Sequence, residues 1–310
     1  MKTLYESLLD DFDTLAAPLN AKAIKEQVKE FLKQTYKNPS YAKISRKPNE
    51  DGLYVVDWKG DLVIRDKKIE QLTTGLFTFG EVDGDFDCRE CKNLKTLKGG
   101  PQIVGGVFNF TLCNSLTSLE GAPEKCRKVV AWDHYGHDIT LNSIEGCPQA
   151  QDIVLEGIKG LKNLKGLPQM SKYVGYLCLE NLPDLESLEG GPTEIKDYTC
   201  RDCQNLKSLK GGPSKVPGVF ICEQGHSLKN FEGAPEEVGT FQVCNNKMLD
   251  GNHPEVLKGF PKKAIGVKIF TSKKEQEKLG IKFEPFTVEQ ICAVCDVKPI
   301  CVQVVNPFDN

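Results

Sequence analysis

The residues with chemistry to offer in this 310-residue sequence are first of all its thirteen cysteines. Two pairs, Cys88-x-x-Cys91 and Cys200-x-x-Cys203, have the spacing of a zinc knuckle. A third group, Cys292-x-x-Cys295-x5-Cys301, supplies three thiolates, one short of a structural zinc site. A fourth ligand would have to come from elsewhere in the chain, for example Cys244 or His253. A separate cluster gathers Trp132, Asp133, His134, Tyr135, His137 and Asp138. It offers either an aromatic recognition patch or a metal site built on Asp133, His134 and His137. A glycine-rich phosphate loop, a Gly-x-Ser-x-Gly elbow and His-Glu-x-x-His are all missing. The chain therefore reads as non-enzymatic, with no catalytic residue and no cofactor to assign.

What positions these residues is a repeat. Leu-x-x-Leu-x-Gly-x-Pro recurs seven times in nearly complete form, and a degenerate eighth copy ends at Pro261. The prolines stand at 101, 123, 148, 168, 192, 213, 235 and 261, so the steps run from 20 to 26 residues. That period marks stacked coils that bury a shared core only against their neighbours. Upstream of each motif lies a short apolar alternation, as in Phe86-x-Cys88, Phe108-x-Phe110, Tyr198-x-Cys200 and Phe220-x-Cys222. Period 2 is the pattern of a strand with both residues facing inward. Each glycine two residues before the proline supplies an unusual backbone angle, and the proline fixes the turn that follows.

Measured against this repeat, most cysteines lose their chemistry. Cys88, Cys91, Cys113, Cys200, Cys203 and Cys222 fall on inward positions that Leu or Phe occupies in sibling coils. They read as small buried hydrophobes that remain reduced. The two Cys-x-x-Cys pairs are also five units apart, roughly 25 Å at strand spacing, so they cannot share one metal. Cys292, Cys295 and Cys301 lie outside the register; their first reading is a buried strand pair, with zinc and an assembly-linked disulfide as rivals.

The same measure isolates outward residues, 16, 14 and 12 positions before each proline. They include Asp85, Asp87 and Arg89; Trp132, His134 and Gly136; Asp152, Val154 and Glu156; Tyr176, Cys178 and Glu180; Asp197, Thr199 and Arg201. Trp, Tyr and Arg among carboxylates suit a protein interface on a concave sheet. Asp85, Arg89, Trp132, His134, Asp152, Tyr176, Asp197 and Arg201 are the binding candidates. The coil around Trp132 steps 25 residues, which points to a bulge with Trp132 turned into the core or to a recognition site.

Forty basic against 43 acidic residues give a net charge of −3, without the excess expected of a nucleic-acid groove. No run of 18 apolar residues is present and the N-terminus has no secretory h-region, so neither a membrane span nor a signal peptide is expected. Residues 1–50 read as two helices and a polar linker, the first bearing Leu4, Leu8, Leu9, Phe12 and Leu15 on one face. Residues 51–82 read as an N-terminal cap, 83–272 as the solenoid and 273–310 as a C-terminal cap with added strands. The insertion at 249–257 is either a contact loop or a transition to that cap.

The Leu-x-Leu-x-x-Cys-x-x-Leu-x-x-Leu form resembles the leucine-rich-repeat superfamily over about residues 60–272. "GDFDCRECKNLKTLKGGPQIVGGVF" is similar to repeat proteins of unassigned role in tailed phages of gut bacteria. The opening "MKTLYESLLDDFDTL" resembles the start of many proteins of such phages. The expected fold is an α+β repeat protein, a leucine-rich-repeat-like β-solenoid of about eight coils with a helical N-terminal region. The expected function is non-catalytic protein binding, for a phage-encoded chain in the host cytoplasm or the virion. The alternatives are a virion component that docks through its N-terminal helix and C-terminal tail, and a C-terminal zinc-binding module.

Overall fold

Repetition turns into a solenoid because every coil presents the same inward set to the same set one turn away. The computed structural model describes residues 21–133, 139–168, 175–280, 282, 284–296, 299 and 301–304. Among them every predicted inward residue of the regular coils is buried, from Phe86, Cys88, Cys91, Leu94 and Leu97 through Phe220, Cys222, Leu228 and Phe231. Each fully buried Leu or Phe contributes about 1.5–3 kcal/mol, which a single coil could not obtain alone. Rings continue from coil to coil: Tyr198 stacks on Phe220 and Phe220 on Phe241, with centroids 5.4 and 5.6 Å apart.

The first strands are β1 (Ala42–Ile44), β2 (Tyr54–Trp58), β3 (Leu62–Val63), β4 (Phe77–Val82), β5 (Phe86–Asp87) and β6 (Ile103–Val104). The coils continue with β7 (Val107–Asn109), β8 (Lys128–Ala131), β9 (Ile139–Thr140), β10 (Asp152–Glu156), β11 (Ile158–Lys159) and β12 (Tyr176–Glu180). Then come β13 (Asp197–Arg201), β14 (Lys215–Glu223), β15 (Glu237–Cys244), β16 (Lys263–Phe270) and β17 (Cys301–Gln303). One sheet of eleven strands runs β3-β5-β7-β8-β10-β12-β13-β14-β15-β16-β17, every neighbour parallel. A second sheet, β1-β2-β4-β6, covers the other side of the first coils. The result is a β-solenoid of about nine turns. The proline count gave about eight because the first turn, between β3 and β5, lacks a Gly-x-Pro; Leu72 and Phe77 seal it instead.

Three turn devices recur. The glycines two before each proline all take left-handed φ angles, between 77° and 100°. In six of the seven Leu-x-x-Leu copies the residue before the second apolar position, Thr96, Ser118, Ser143, Asn163, Ser208 or Asn230, accepts the backbone N–H two residues on, at 3.0–3.4 Å. This is the Asx or Ser/Thr turn. Thiols serve likewise: Cys88 Sγ donates to Asn109 O at 3.2 Å and Cys113 Sγ to Cys88 O at 3.1 Å.

Helix α1 (Ala21–Thr35) closes the N-terminal end, with Val28, Phe31 and Leu32 buried against Tyr36, Trp58, Phe77 and Phe79. The supposed linker after it is not only a linker, since β1 pairs antiparallel with β2. The other end also departs from expectation. Helix α2 (Lys273–Leu279), stopped at Gly280, is followed by α3 (Val288–Val294) where strands were expected. A Thr287–Gln290 capping box starts α3 and Ile291 is its buried anchor, so local capping overrides the β-prone composition. Among the described residues that follow, the short β17 joins the sheet. The insertion at 249–257 belongs to this cap: Gly251 N donates to Glu284 O at 2.7 Å, and Gln290 Nε2 to Gly251 O at 3.0 Å.

Candidate functional site

The outward face of the long sheet is built by the residues between the inward ones. Strand register aligns Asp152, Tyr176 and Asp197 in one row, and Val154, Cys178, Thr199 and Ile221 in the next. Glu180, Arg201 and Glu223 fall in a third row, continued at Glu156. The middle row is recessed, with Val130, Val154, Cys178 and Thr199 all buried. Polar side chains therefore stand on either side of a shallow apolar floor.

The coil around Trp132 deviates from the proline-based register. Its strand is 128–131, pairing Val129 with both Phe108 and Ile153, so the extra residues follow the strand instead of preceding it. The outward residues there are Lys128, Val130 and Trp132. Trp132 is 43% exposed, and Asp133 is the residue that turns in, at 1%. Trp132 is therefore not core. His134, His137 and Asp138 lie outside the described residues. The apolar run Val129-Val130-Ala131 was the signal that marks the true strand.

Trp132 and Arg89, far apart in sequence, line one depression of about 370 Å³ with Asn109, Thr111, Lys128 and Val130. Arg89 is held there by Asp87, through Nε at 3.0 Å and Nη2 at 2.8 Å. Burial pushes the Asp87 carboxyl up, but the bonds and charge of Arg89 outweigh it and hold the acid below its ordinary range. Further along, Arg201 Nε meets Glu223 Oε2 at 2.9 Å, its Nη1 stands 3.8 Å from Glu180 Oε1, and Gln242 Nε2 donates to Glu223 Oε1 at 2.7 Å. Partial burial works against the guanidinium charge, but Glu223 and Glu180 hold it protonated. Tyr176 OH lies 3.5 Å from Thr199 Oγ1, and burial, followed by Cys178, pushes the phenol up to about 12. This network is missed by single-residue reasoning, because Gln242 and Glu223 become partners only through sheet register.

The aspartates at the edge of the face have a scaffold task. Asp85 Oδ1 accepts Val107 N at 2.7 Å, Asp152 Oδ1 accepts Tyr176 N at 3.1 Å, and Asp197 Oδ1 accepts Val219 N at 2.8 Å. Each carboxylate ties its coil to the next. A side chain on Gly106 or Gly218 would collide with the carboxylate of Asp85 or Asp197. These Asp–Gly interlocks, 21 residues apart, were legible only as a pattern of two residue types in successive coils.

The cysteines at inward positions are free thiols in the core. Burial pushes Cys91, Cys126 and Cys244 up to about 12. Such thiols are protonated and inert at neutral pH. Cys292 and Cys295 are half-buried on and just after α3, and burial pushes Cys295 up to about 11. The side chain of Cys301 lies outside the described residues. Among those described, no three His, Cys, Asp or Glu side chains converge as a metal site, and no helix is long and apolar enough to cross a membrane.

No family model, no curated protein and no solved structure matches this chain.

Proposed function

We propose that this chain is a non-catalytic protein-binding scaffold of the leucine-rich-repeat type, working through the outward face of its long sheet. The observation that carries the reading is Trp132, an exposed indole on the rim of a depression that also holds a charge-paired Arg89. An exposed Trp beside a pre-oriented Arg over a recessed floor is the anchor arrangement of protein interfaces. The repeat resemblance supports a phage-encoded protein that acts in the host cytoplasm or in the virion.

The test pairs Trp132→Ala and Arg201→Glu with the unchanged chain in affinity capture from infected bacterial cells. A protein retained by the parent and lost from both variants, with unfolding transitions unaltered, is the expected result. Identical capture by all three chains would remove the face from the function.

A further inference from the structure

Helix α2 docks on the solenoid without a buried apolar anchor. Of its seven residues only Glu275 is buried, and Leu279 is half-buried. A helix this short does not persist alone, since isolated helices below about 12–15 residues are marginal in water. Its contacts with the last coils therefore decide whether it forms. Ser272 N, just before it, donates to Asn245 Oδ1 at 2.9 Å, and Gln276 Nε2 donates to Thr271 O at 3.0 Å. The deepest contact is the Glu275 side chain.

Glu275 faces His226, which follows β14. His226 Nε2 lies 3.3 Å from Glu275 Oε1, and the two side chains are 10% and 8% exposed. The pair is close but not aligned: among the described residues neither ring nitrogen of His226 has a hydrogen-bond partner, nor has Glu275 Oε1. Other charges face the ring from three elements. Lys278, on α2, brings its Nζ within 3.3 Å of the same Glu275 oxygen. Lys247 follows β15 and Asp202 follows β13. Two cations set against two carboxylates leave burial to decide. Burial disfavours the imidazolium most; Glu275 favours it, Lys247 and Lys278 oppose it, and Asp202 supports it least. The ring is held below its ordinary range, so its neutral form is the one this pocket suits.

We infer that α2 is an acid-released clasp: proton uptake by His226 detaches the helix, with its Glu275, from the side of the last coils. Release returns His226 to water, where the ring takes a proton more readily than in the fold. The contribution of the neutral ring to docking is complete above about pH 6.5 and is lost as the pH falls below it. This device lies at the end of the solenoid and does not depend on what the outward face binds.

The experiment is hydrogen–deuterium exchange with mass spectrometry on the full chain at pH ~7.5 and ~5, corrected for intrinsic exchange at each pH. The reporters are Gln276 N and Gly280 N, which donate to Ser272 O and Glu277 O. Their protection should fall about 3- to 30-fold in acid, the upper bound being that of a free imidazole near pH 6.5. Amides of β14 and β15 should keep theirs. In His226→Gln the acid loss should vanish. The His226 ring resonance of the unaltered chain, titrated by NMR, is a second measurement that needs no variant. Its midpoint should lie below about 6.5, and it decides the matter if His226→Gln undocks α2 at both pH values. Protection of α2 that is unchanged or stronger in acid, an acid loss that His226→Gln retains in full, or a ring midpoint at or above about 6.5 would each overturn the inference. Stronger protection in acid would make the pair a lock that tightens on protonation.

Discussion

Replacing Gly211 and Gly52 by alanine separates two explanations of the repeat glycine. Both have nearly the same left-handed backbone, φ 82° and 79°. They differ in their surroundings. A Cβ on Gly52 meets nothing within 4 Å, whereas on Gly211 it would lie 2.5 Å from Glu189 Cα and 2.6 Å from Glu189 N, in the backbone of the preceding coil. The left-handed angle costs an alanine about 1–2 kcal/mol at either site. Reduced freedom of the unfolded chain returns about 0.4–1 kcal/mol. Gly52→Ala should therefore cost about 1 kcal/mol or less. At Gly211 the obstacle is main chain, which cannot rotate away, and overpacking of this kind adds about 1–3 kcal/mol. Gly211→Ala should cost about 2–4 kcal/mol. Urea unfolding followed in parallel by far-UV circular dichroism and by fluorescence of the buried Trp58 gives both values, provided the two probes coincide, because long repeat arrays can lose two-state behaviour. Equal costs within about 0.5 kcal/mol would refute the claim that coil spacing, and not backbone angle alone, demands glycine in this motif.

Four further outcomes follow from named contacts. Phe220→Ala interrupts the ring stack between Tyr198 and Phe241 and should cost about 3–5 kcal/mol in the same urea assay. Asp197→Ala removes the acceptor for Val219 N, 2.8 Å away, and should cost about 1–2 kcal/mol, a loss that Asp197→Asn should partly recover. Glu90→Gly should stabilise by up to about 1 kcal/mol, because exposed Glu90 sits at φ 64°; a measured loss of stability would contradict it. Stability should also fall in alkali: the Cys91, Cys126 and Cys244 thiols are raised from 9.0 to about 12 in the fold, so their contribution is complete below pH 9 and is lost as the pH rises from 9 towards 12. A stability curve flat across that window, read by urea unfolding at each pH, would exclude buried protonated thiols.

The inward register was legible because one face of each strand must be apolar and the proline marks where the coil closes. Phe86, Leu155, Tyr198 and Phe220 were placed by counting alone, and all are buried. Counting failed where length was added. An insertion changes the proline step without saying on which side of the strand it lies, and for that reason the strand positions of the one coil that holds β8 were misplaced by four positions. The left-handed residue that ends the strand was also hidden. It is Glu90, Leu112, Asn181, Asp202, Gln224 or Asn245, and only Gly157 among its equivalents is a glycine, so residue type carried no steady signal. A Thr, Ser or Asn stands before the second apolar position of every regular Leu-x-x-Leu copy, and in six of them one hydrogen bond explains it.

For the candidate site, outward geometry is a weaker guide than it looks. A side chain that points away from the core can still be committed to the scaffold, and three of the aspartates singled out for binding are: Asp85, Asp152 and Asp197 each hold a backbone N–H of the next coil. Their charge is partly satisfied before any partner arrives, so replacing them tests stability as much as recognition. Arg201 is intermediate, since Glu223 and Glu180 fix its position but leave it about one-third exposed. Trp132 is different in kind. Its neighbours Val130 and Asp133 are buried while the indole is 43% exposed, so burial inside the chain does not account for its presence. An exposed Trp gains little for the fold and costs solubility, so under the proposed binding function Trp132 is the first position at which to test recognition. Loss of binding without loss of stability is therefore expected at Trp132 first, at Arg201 next, and least at the interlocked aspartates.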